Sequence, residues 1–387
     1  MNIRTFIFAM LLPLLWSCAS QSGKGNVVFV TAADASALAD AIRSIEIIPL
    51  EKINGSAVGP ARNSEVCLLG RDYIVADRLS SNIFRFSPEG KFLCSLGPVG
   101  EIINITDGCP VGEMPDRISS FQVDKDEVTA VYATHRAVHY SADGGILSEN
   151  TFEDLGVQSC FVPEGTLTYF GYGTGRPYRV ALLKDGGMET FLPDESKVIS
   201  MDPSAPIFFP YDESVYFTDT YGSGIYRYAG GEVSPVVHFD FGDTALGEKY
   251  FQFDDSFAAA EYMLSKRFTL VERYIRNGKY QIVETFTQDM GEVTADYGIC
   301  KGGGEWKWFS LGKKDSSPFF NSLRQMDNEA LYCLLDAGLL ATAVGQPSDS
   351  DAQDAGLKAF LPFISNPEVL RTVSAGDNPV IAKVYLK

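Results

Sequence analysis

Tyr73-Ile-Val-Ala-Asp-Arg-Leu-Ser-Ser-Asn-Ile-Phe-Arg-Phe86 aligns without a gap with Val215-Tyr-Phe-Thr-Asp-Thr-Tyr-Gly-Ser-Gly-Ile-Tyr-Arg-Tyr228. In both stretches an aspartate closes the first half, and an isoleucine and an arginine recur at matching places in the second half. Each stretch has apolar and aromatic residues on either side of a short polar segment, which predicts a strand, a loop and a second strand. The recurrence predicts a fold built from equivalent antiparallel units.

Further copies of the repeat extend this pattern. One runs from Val128 to Ser141, and its turn Ser141-Ala-Asp-Gly144 corresponds to Ser87-Pro-Glu-Gly90. A looser copy runs from Leu167 to Leu192 and has Lys184-Asp-Gly-Gly187 at its turn. Turns of this kind are typical of β-hairpins. The copies follow each other at steps of about 42 to 54 residues, the length of a four-stranded propeller blade.

The next part of the chain predicts a fifth blade. Phe268 to Gly278 followed by Tyr280 to Phe286 is typical of a hairpin with an Asn-Gly turn. Val293 to Cys300 and Trp306 to Leu311 supply two more strands around a turn of glycines at 302–304. These four strands complete one antiparallel sheet.

The last blade is predicted to take its strands from both ends of the chain. Leu323 to Met326, Ala330 to Leu335 and Val380 to Leu386 provide three strands, and Ile45 to Leu50 is the best source of a fourth. A ring closed in this way leaves no free sheet edge at the junction. We therefore predict an all-β fold: a six-bladed β-propeller of four-stranded antiparallel blades, closed by N- and C-terminal strands and carrying two short helical insertions.

The first insertion is predicted to be a helix over Ser256 to Lys266. Ser256 is the expected N-cap, because its hydroxyl can accept from a free amide of the first turn. Phe257, Ala260 and Leu264 are spaced to lie on one face of that helix, which we expect to be the buried face.

The second insertion is predicted to be a helical region between Gln346 and Thr372. It starts in an acidic stretch, and Pro362 and Pro367 are expected to break it, since proline lacks the amide hydrogen that a helix interior requires. We expect both insertions to pack at a blade edge; the alternative is a lid over a pocket.

The N-terminal residues are predicted to be an export signal. Arg4 supplies a positive charge, and Phe6 to Trp16 form an apolar stretch too short to span a bilayer of about 30 Å as a helix. The stretch ends in Leu15-Trp16-Ser17-Cys18, which resembles the lipobox of bacterial lipoproteins. That resemblance implies acylation of Cys18; the alternative is an ordinary secretory signal with a coincidental cysteine.

These features divide the chain into a signal peptide at 1–17, a lipidated tether at 18–26 and a propeller domain at 27–387. The tether residues are small and polar, as in flexible linkers. No acidic residue closely follows Cys18, whereas an acidic run there is associated with surface display in lipoproteins of gut Gram-negative bacteria. We therefore expect a protein anchored in the cell envelope, with the periplasmic face favoured over the cell surface.

Composition and charge exclude some classes of function. The chain has 387 residues and a formal net charge of −18, which becomes −19 once Arg4 is removed with the signal. No run of basic residues occurs, which excludes a binder of duplex nucleic acid, because such proteins need a stripe of Lys and Arg. The 26 Phe, 18 Tyr and 3 Trp residues favour a strand-rich fold.

Several short motifs together resemble one family, the six-bladed, NHL-like β-propeller lipoproteins of Gram-negative gut bacteria, which are largely uncharacterised. The resemblance covers nearly the whole mature chain and departs from the family mainly in a long connection from Pro98 to Asp116. It implies a propeller fold and an envelope location but carries over no catalytic residue. The motifs are Ile45-Glu-Ile-Ile-Pro-Leu-Glu51, Phe92-Leu-Cys-Ser-Leu-Gly97, Pro110-Val-Gly-Glu113, Ile225-Tyr-Arg-Tyr228, Phe239-Asp-Phe-Gly242 and Asp377-Asn-Pro-Val380.

Motifs for catalysis and metal binding are sparse. The sequence has no Gly-x-Ser-x-Gly elbow, no His-Glu-x-x-His motif and no phosphate-binding loop. His139 and His238 are expected in strands, and only His135 in a loop. The acidic stretch Asp349-Ser-Asp351 lacks the glycine and distal glutamate of a calcium loop. The six cysteines after Cys18 are irregularly spaced and are expected to be mostly free thiols, although an exported chain permits disulfides. We expect no catalytic residue, no metal and no cofactor.

The sequence does predict a binding face. Loops between strands converge at one end of a propeller, and here they carry aromatic rings, which stack on sugars or peptides, and arginines, which pair with carboxylates. The alternative is that these side chains merely decorate exposed loops. The candidate ligand-binding residues are Arg78, His135, Arg136, Tyr172, Arg176, Tyr178, Thr220 and Tyr221.

From these residues we predict a non-enzymatic binding or scaffold protein that holds a glycan, a peptide or a partner protein, with the membrane contacted through the lipid anchor. The alternative is a propeller hydrolase or lyase acting on glycans, which would need paired titratable groups with shifted pKa values at the channel mouth. Asp77 and Asp219, equivalent in two blades, are expected to bond to their own backbone or to a neighbouring loop rather than to act as general acids.

The substitution Cys18→Ala should release the protein from membranes. Each acyl CH₂ buried in a bilayer contributes about 0.8 kcal/mol, so loss of the chains removes the anchor. Sedimentation of membrane fractions measures the effect, and Ser17→Ala, which keeps a small residue before the cysteine, should stay in the membrane pellet. A Cys18→Ala protein that still sediments with membranes would show that the lipobox assignment is wrong.

Overall fold

The computed structural model describes nine ranges of the chain: 26–30, 36–53, 58–78, 80–98, 116–198, 206–219, 221–313, 323–344 and 358–387. Several predictions made above concern residues outside these ranges. They are the signal, the tether up to residue 25 with Cys18, and Thr220. They also include residues 99–115 of the long connection, with the cysteine at 109 and the family motif at 110–113, and residues 346–357 of the second insertion, with the acidic stretch at 349–351.

Most of the described chain is β-strand, interrupted by two α-helices, α1 (Ser256–Leu264) and α2 (Ala337–Ala343). In chain order the strands are β1 (Asn26–Phe29), β2 (Ser36–Ala37), β3 (Ile42–Pro49), β4 (Ser64–Leu69), β5 (Asp72–Asp77), β6 (Asn82–Phe86), β7 (Phe92–Leu96), β8 (Ile118–Asp124), β9 (Glu127–Tyr132), β10 (Arg136–Ser141), β11 (Ile146–Thr151), β12 (Gln158–Val162), β13 (Gly165–Tyr169), β14 (Tyr178–Lys184), β15 (Gly187–Pro193), β16 (Phe208–Tyr211), β17 (Ser214–Asp219), β18 (Gly224–Ala229), β19 (Glu232–Asp240), β20 (Phe268–Arg276), β21 (Tyr280–Asp289), β22 (Glu292–Lys301), β23 (Trp306–Lys313), β24 (Leu323–Met326), β25 (Leu331–Leu335) and β26 (Val380–Leu386).

The strands form six sheets, one for each blade of a propeller. Blades 1 to 5 use consecutive strands, namely β4–β7, β8–β11, β12–β15, β16–β19 and β20–β23. Blade 6 has the order β24, β25, β26 and β3. The first strands of neighbouring blades contact one another around the central axis. The prediction of a six-bladed propeller is confirmed.

Blade 6 closes the ring by pairing the two ends of the described chain. β26 runs antiparallel to β3, from Val380 opposite Pro49 to Leu386 opposite Ile42. Ile45 on β3 is fully buried in the core that blade 6 shares with blade 5. The predicted closure is confirmed, and its N-terminal strand begins three residues earlier than the pattern indicated.

Two asparagines of the connection between β25 and β26 hold the closing strand by their side-chain amides. Asn366 accepts from the Ile47 amide at 3.0 Å and donates to the Ile47 carbonyl at 2.8 Å. Asn378 accepts from the Val58 amide at 3.1 Å and donates to the Glu51 carbonyl at 2.7 Å. Each amide thus takes the place of a neighbouring strand, satisfying backbone groups at the edge of β3 and after its end.

Two short strands add a fifth member to blades 4 and 5, which the sequence did not indicate. β1 pairs in parallel with β19, and β2 pairs in parallel with β23. The chain before β3 therefore follows the outer edges of blades 4, 5 and 6 in turn. Strands of four and two residues are too short to show a period-two pattern, which explains why the sequence does not predict them.

The first insertion is helical as predicted, but its cap and its buried face were predicted wrongly. The N-cap is Asp255 rather than Ser256, and its carboxylate accepts hydrogen bonds from two amides of the first turn. Phe257 and Leu264 are exposed, and Ala259 is buried instead. The reason is that aromatic residues of the same insertion lie on the other side of α1 and cover that face.

The second insertion differs from the prediction in its described part, from residue 358 onward; residues 346–357 of the predicted region lie outside the described ranges. α2 lies before the predicted region, and Pro362 and Pro367 do not interrupt a helix: they stand in the first turns of two 3₁₀ helices, Leu361–Phe363 and Pro367–Arg371. A missing amide hydrogen costs nothing in a first turn, so proline is compatible with that position. No helix in the described ranges is long and apolar enough to cross a membrane.

The antiparallel order sorts the connections onto two ends of the propeller. Turns between the first and second strands of a blade, and between the third and fourth, lie at one end, which we call the turn face. Connections between the second and third strands, and those between blades, lie at the other end, the loop face. Both α-helices and the two 3₁₀ helices that contain prolines are in loop-face connections.

Side chains of the inner strands fill the central axis. Gln122 accepts from the Phe161 amide at 2.8 Å and donates to the Phe161 carbonyl at 3.0 Å, so that blade 2 is bonded to blade 3. Gln158 in turn accepts from the Ile207 amide at 2.7 Å, which joins blade 3 to blade 4. Two cavities along the inner strands have volumes of about 30 and 80 Å³. A ligand site usually needs several hundred Å³, so these cavities are too small to hold one.

The five described cysteines are free thiols, as expected from their irregular spacing. Cys160 and Cys333 are buried inside strands, and burial raises the pKa of Cys160 to about 12. A thiol with so high a pKa is protonated and unreactive at neutral pH.

The substitution Ile45→Ala should destabilise the closed ring. Removing a buried isoleucine side chain typically costs about 2–5 kcal/mol, because the cavity left behind is only partly refilled. Ile146→Ala is the matched control, since Ile146 also lies on the outer strand of a blade but is 57% exposed. Urea unfolding gives both free energies, and equal losses in the two variants would contradict the role assigned to the closing strand.

Candidate functional site

The described residues that the sequence nominated all lie on the loop face, in or beside the connections between the second and third strands of blades 1 to 4. They fall into three groups rather than one. Arg78 lies between blades 1 and 2, His135, Arg136, Arg176 and Tyr178 lie around the connection between blades 2 and 3, and Tyr172 and Tyr221 lie between blades 3 and 4.

Arg78 bonds blade 1 to blade 2. Its guanidinium Nε and Nη2 donate to the carbonyl oxygens of Ile118 at 3.3 Å and Ser119 at 3.0 Å. Its Nη1 lies 3.3 Å from Oε1 of Glu65, a carboxylate at the top of the inner strand. These contacts use much of the arginine's hydrogen-bonding capacity within the protein.

His135 and Arg136 lie where β10 begins. His135 has a φ of 61°, a left-handed conformation that turns the chain into the strand, and its carbonyl accepts from the Phe152 amide at 2.9 Å. Arg136 lies over the ring of Tyr132, 4.4 Å from its centre. Its Nε is 3.3 Å from Oδ2 of Asp116, and its Nη1 is 3.4 Å from Oε1 of Glu149. Both residues thus border the connection that leads to blade 3.

Arg176 and Tyr178 lie on the other side of the same connection. Arg176 Nη2 is 2.6 Å from Oδ2 of Asp154, and the guanidinium lies 4.3 Å from the centre of the Phe170 ring. Tyr178 packs edge-on against Phe170 at 5.7 Å, and its side chain is partly exposed. We call His135, Arg136, Arg176 and Tyr178 the blade 2–3 surface.

Tyr172 and Tyr221 are buried in an aromatic cluster that joins blades 3 and 4 to the first insertion. Tyr172 stacks on Phe251 at 4.6 Å, and Tyr221 stacks on Tyr250 at 5.6 Å with an interplanar angle of 2°. Their own rings meet edge-to-face at 6.0 Å. The cluster fixes the loops of blades 3 and 4 against the insertion that carries α1.

A buried ion pair lies at the centre of this cluster. Asp219 accepts hydrogen bonds from Tyr172, at 2.7 Å, and from the guanidinium of Arg179 in the neighbouring blade. Burial and the Asp219 carboxylate together raise the pKa of Tyr172 well above its usual value, so the phenol stays protonated and donates. A β-carbon on Gly222 would lie 2.1 Å from Oδ2 of Asp219, which leaves room only for glycine.

The other polar residues discussed above have structural partners. Asp77 accepts from the Ser80 hydroxyl of its own loop, and Asp219 bonds to the neighbouring blade. His139 lies in a strand with its Nδ1 3.0 Å from the Thr129 hydroxyl. In the described ranges no group of three or more His, Cys, Asp or Glu side chains could hold a metal ion.

Comparison with known families classifies the chain. A family profile described as a domain of unknown function, DUF4934, matches residues 27–385. The chain belongs to the DUF4934 family. The match spans nearly all of the propeller, so the resemblance inferred from short motifs, to an uncharacterised propeller family, is confirmed.

Two solved structures are similar to this DUF4934 chain, and the first of them supports the fold. A Bacteroides fragilis protein described as exported is 15% identical, with a TM-score of 0.69, and the alignment covers 94% of this chain and 100% of that one. A member of the DUF4221 family from Bacteroides vulgatus is 7% identical, with a TM-score of 0.49 and coverage of 89% and 98%. No curated protein matches the chain.

Arg179→Met should destabilise this DUF4934 protein far more than Arg176→Met. Both arginines lie over an aromatic ring and pair with an aspartate, but the pair of Arg179 is buried whereas that of Arg176 is exposed. Breaking a buried pair leaves an uncompensated charge and costs about 3–5 kcal/mol, whereas an exposed pair contributes about 0–1 kcal/mol. Chemical unfolding measures both, and similar losses would contradict a structural role for the buried pair.

Proposed function

We propose that this DUF4934 protein is an exported, lipid-anchored protein of the cell envelope that binds a glycan, a peptide or a partner protein on its loop face. The observation that carries the proposal is the asymmetry of the two faces. The turn face has short turns in its described part, whereas the loop face has both helical insertions and the arginine and tyrosine groups described above.

Because the central axis is filled, we place the proposed ligand on the outer surface of the loop face. Because the cavities along the inner strands measure about 30 and 80 Å³, they cannot enclose a sugar ring or a peptide side chain of ordinary size. A ligand on the loop face would therefore lie across several loops rather than inside the axis. Rings and arginines spread over a surface suit this mode of binding, since each contributes a separate contact. A larger cavity, of about 950 Å³, lies beside Trp306 and Trp308 at the turn-face end of blades 5 and 6.

The blade 2–3 surface has suitable chemistry for such a ligand. Arg136 and Arg176 are each held over a ring, which orients the guanidinium while part of it stays open to solvent. Glu149, a partner of Arg136, and Asp154, the partner of Arg176, are about half exposed, and exposed pairs contribute little. Arg136 has a second partner, Asp116, which is 24% exposed and keeps the guanidinium in place. A carboxylate of a ligand could replace Glu149 or Asp154 at small cost and gain a bidentate contact with the arginine.

Export and anchoring rest on the first eighteen residues. A positive charge, an apolar stretch of the length of a signal peptide and a lipobox-like end at Cys18 support delivery to the envelope. The structural similarity to a Bacteroides fragilis protein described as exported is compatible with this location.

The double substitution Arg136→Met and Arg176→Met should weaken ligand binding at least about tenfold, because each removes a charged contact while keeping the bulk of the side chain. The anchorless domain, residues 19–387, would be screened against glycans and peptides for thermal shift and for product release, and hits would be titrated by calorimetry. Arg71→Met, an exposed arginine on the turn face, is the matched control.

Two outcomes would count against the proposal. Ligand affinity that is unchanged in the double variant, or lost equally in Arg71→Met, would remove the blade 2–3 surface from consideration. Product release from a hit would favour the alternative of a glycan hydrolase or lyase over a binding protein.

A further inference from the structure

Three large apolar side chains are exposed on the loop face beside blade 5. Phe257 and Leu264 of α1 are 71% and 63% exposed, and Met290, in the turn between β21 and β22, is 91% exposed. We call these three residues the apolar patch. Exposed apolar residues that occur singly need no explanation, but a group on a face already rich in loops calls for one.

The helix and the turn that form the patch lie side by side. Arg267, just after α1, has its Nε 4.0 Å from Oδ2 of Asp289, the residue before Met290. Phe268 is paired with Gln288 at the same end of the sheet. The end of α1 and the β21–β22 turn therefore belong to one continuous surface.

α1 is apolar on both of its sides. Ala259 faces the aromatic cluster and is buried, with Tyr262 and Met263 partly buried beside it. Phe257 and Leu264 are seven residues apart, which places them two turns apart on the same face, and that face is exposed. Helices that lay an apolar face into a partner's groove use anchors at this spacing.

Met290 is unfavourable in its turn for two reasons. The two-residue turn has positive φ at both positions, 48° at Met290 and 87° at Gly291, which is the conformation that favours Asn-Gly or Asp-Gly. A methionine there adds backbone strain to the cost of exposing a large apolar side chain. Both costs fall if the side chain is buried by another molecule, which is how strained positions come to mark functional sites.

A carboxylate lies within the exposed face of α1. Glu261 lies between Phe257 and Leu264 on the helix and makes no ion pair within the described part of the chain. Nearby cations are engaged elsewhere: Lys249 and Lys266 lie 5.2 and 4.7 Å from the centre of the Tyr262 ring. The surface thus combines apolar anchors with negative charge: Glu261 lies between the anchors, and Asp255 and Asp289 lie beside the patch, where they cap the helix and face Arg267.

We propose that the apolar patch is the anchor through which the loop face docks a partner protein, one that presents an apolar groove with a lysine or arginine opposite Glu261. This rests on the proposed function and names the class of partner for that face. A membrane surface is the less suitable occupant, since insertion of the patch would bring an unpaired carboxylate and an acidic protein against anionic headgroups.

The test places a photo-crosslinking amino acid at Phe257 or Met290 of the full-length protein in the cells that make it, with Tyr178, Arg71 and Ile146 as comparison positions. The crosslinked protein is identified, purified and titrated against the unmodified propeller. The double variant Phe257→Ser with Leu264→Ser, and separately Glu261→Lys, should each weaken binding of that purified protein at least about tenfold. Arg71→Met should leave the affinity unchanged.

Met290→Asn is a variant expected to keep the fold, because Asn-Gly is the preferred sequence of such a turn. Asparagine suits a turn with positive φ and removes the exposed apolar side chain, so the variant should have a higher Tm and yet bind the purified partner about tenfold more weakly. If Met290 only stabilised the fold, its replacement by asparagine would not raise the Tm while weakening binding of the partner.

The outcomes separate this inference from the proposed function. Crosslinks at Tyr178 but not at Phe257 or Met290 would overturn the patch and leave loop-face binding in place, whereas crosslinks confined to Arg71 would overturn both. Crosslinks at the patch no stronger than at Ile146, or binding that survives the double variant or Glu261→Lys, would overturn the patch. Flotation with phosphatidylcholine or phosphatidylglycerol vesicles that depends on Phe257 and Leu264 would replace the partner protein by a membrane.

Discussion

The pairing of β26 with β3 is the constraint on which the rest of the propeller depends. The free energy of closing a loop grows only slowly with its length, so joining the two ends of a long domain costs little more than joining a hairpin. In return the closure buries Ile45 and fixes the circumference within which the other five blades pack face to face. Asn366 and Asn378 extend the same bond network to backbone groups that have no strand partner.

In the closed ring, the residues that hold the blades together are distinct from the exposed side chains of the loop face. Inner-strand glutamines bond blade 2 to blade 3 and blade 3 to blade 4, and the two cavities described along the inner strands are too small for a ligand. The loop face is supported from below by the buried pair of Arg179 and Asp219 and by the tyrosines around it. Its exposed side chains are therefore held on a rigid base, which favours recognition by pre-organised contacts.

The sequence predicts the blades well because the information is local. Alternating strands recur in four copies, three of which have an Asp-Gly or Glu-Gly turn, and a strand missing from the last blade has to come from the start of the chain. The edge strands β1 and β2 are not predictable in this way, since a strand of two to four residues is defined by its neighbour rather than by its own pattern.

The candidate site is less predictable because it depends on tertiary contacts. Tyr172 and Tyr221 are loop residues by pattern, but the insertion between blades 4 and 5 covers them. The sequence does not single out Arg179 as a structural residue, because Arg179 lies in the loosest copy of the repeat and its partner Asp219 is in another blade. The exposed face of α1 was predicted to be buried because spacing shows which residues share a face but not which face meets the core.

The direction of β1 has a consequence for the orientation of the molecule. β1 is parallel to β19, the last strand of blade 4, and such strands run from the turn face to the loop face. The chain therefore enters the propeller while heading away from the turn face. If Cys18 carries the predicted acyl chains, the predicted tether joins the propeller where β1 begins, at the turn-face end of blade 4. The lipid anchor would then be attached to the propeller at its turn face, and the loop face would lie at the end away from the point of attachment.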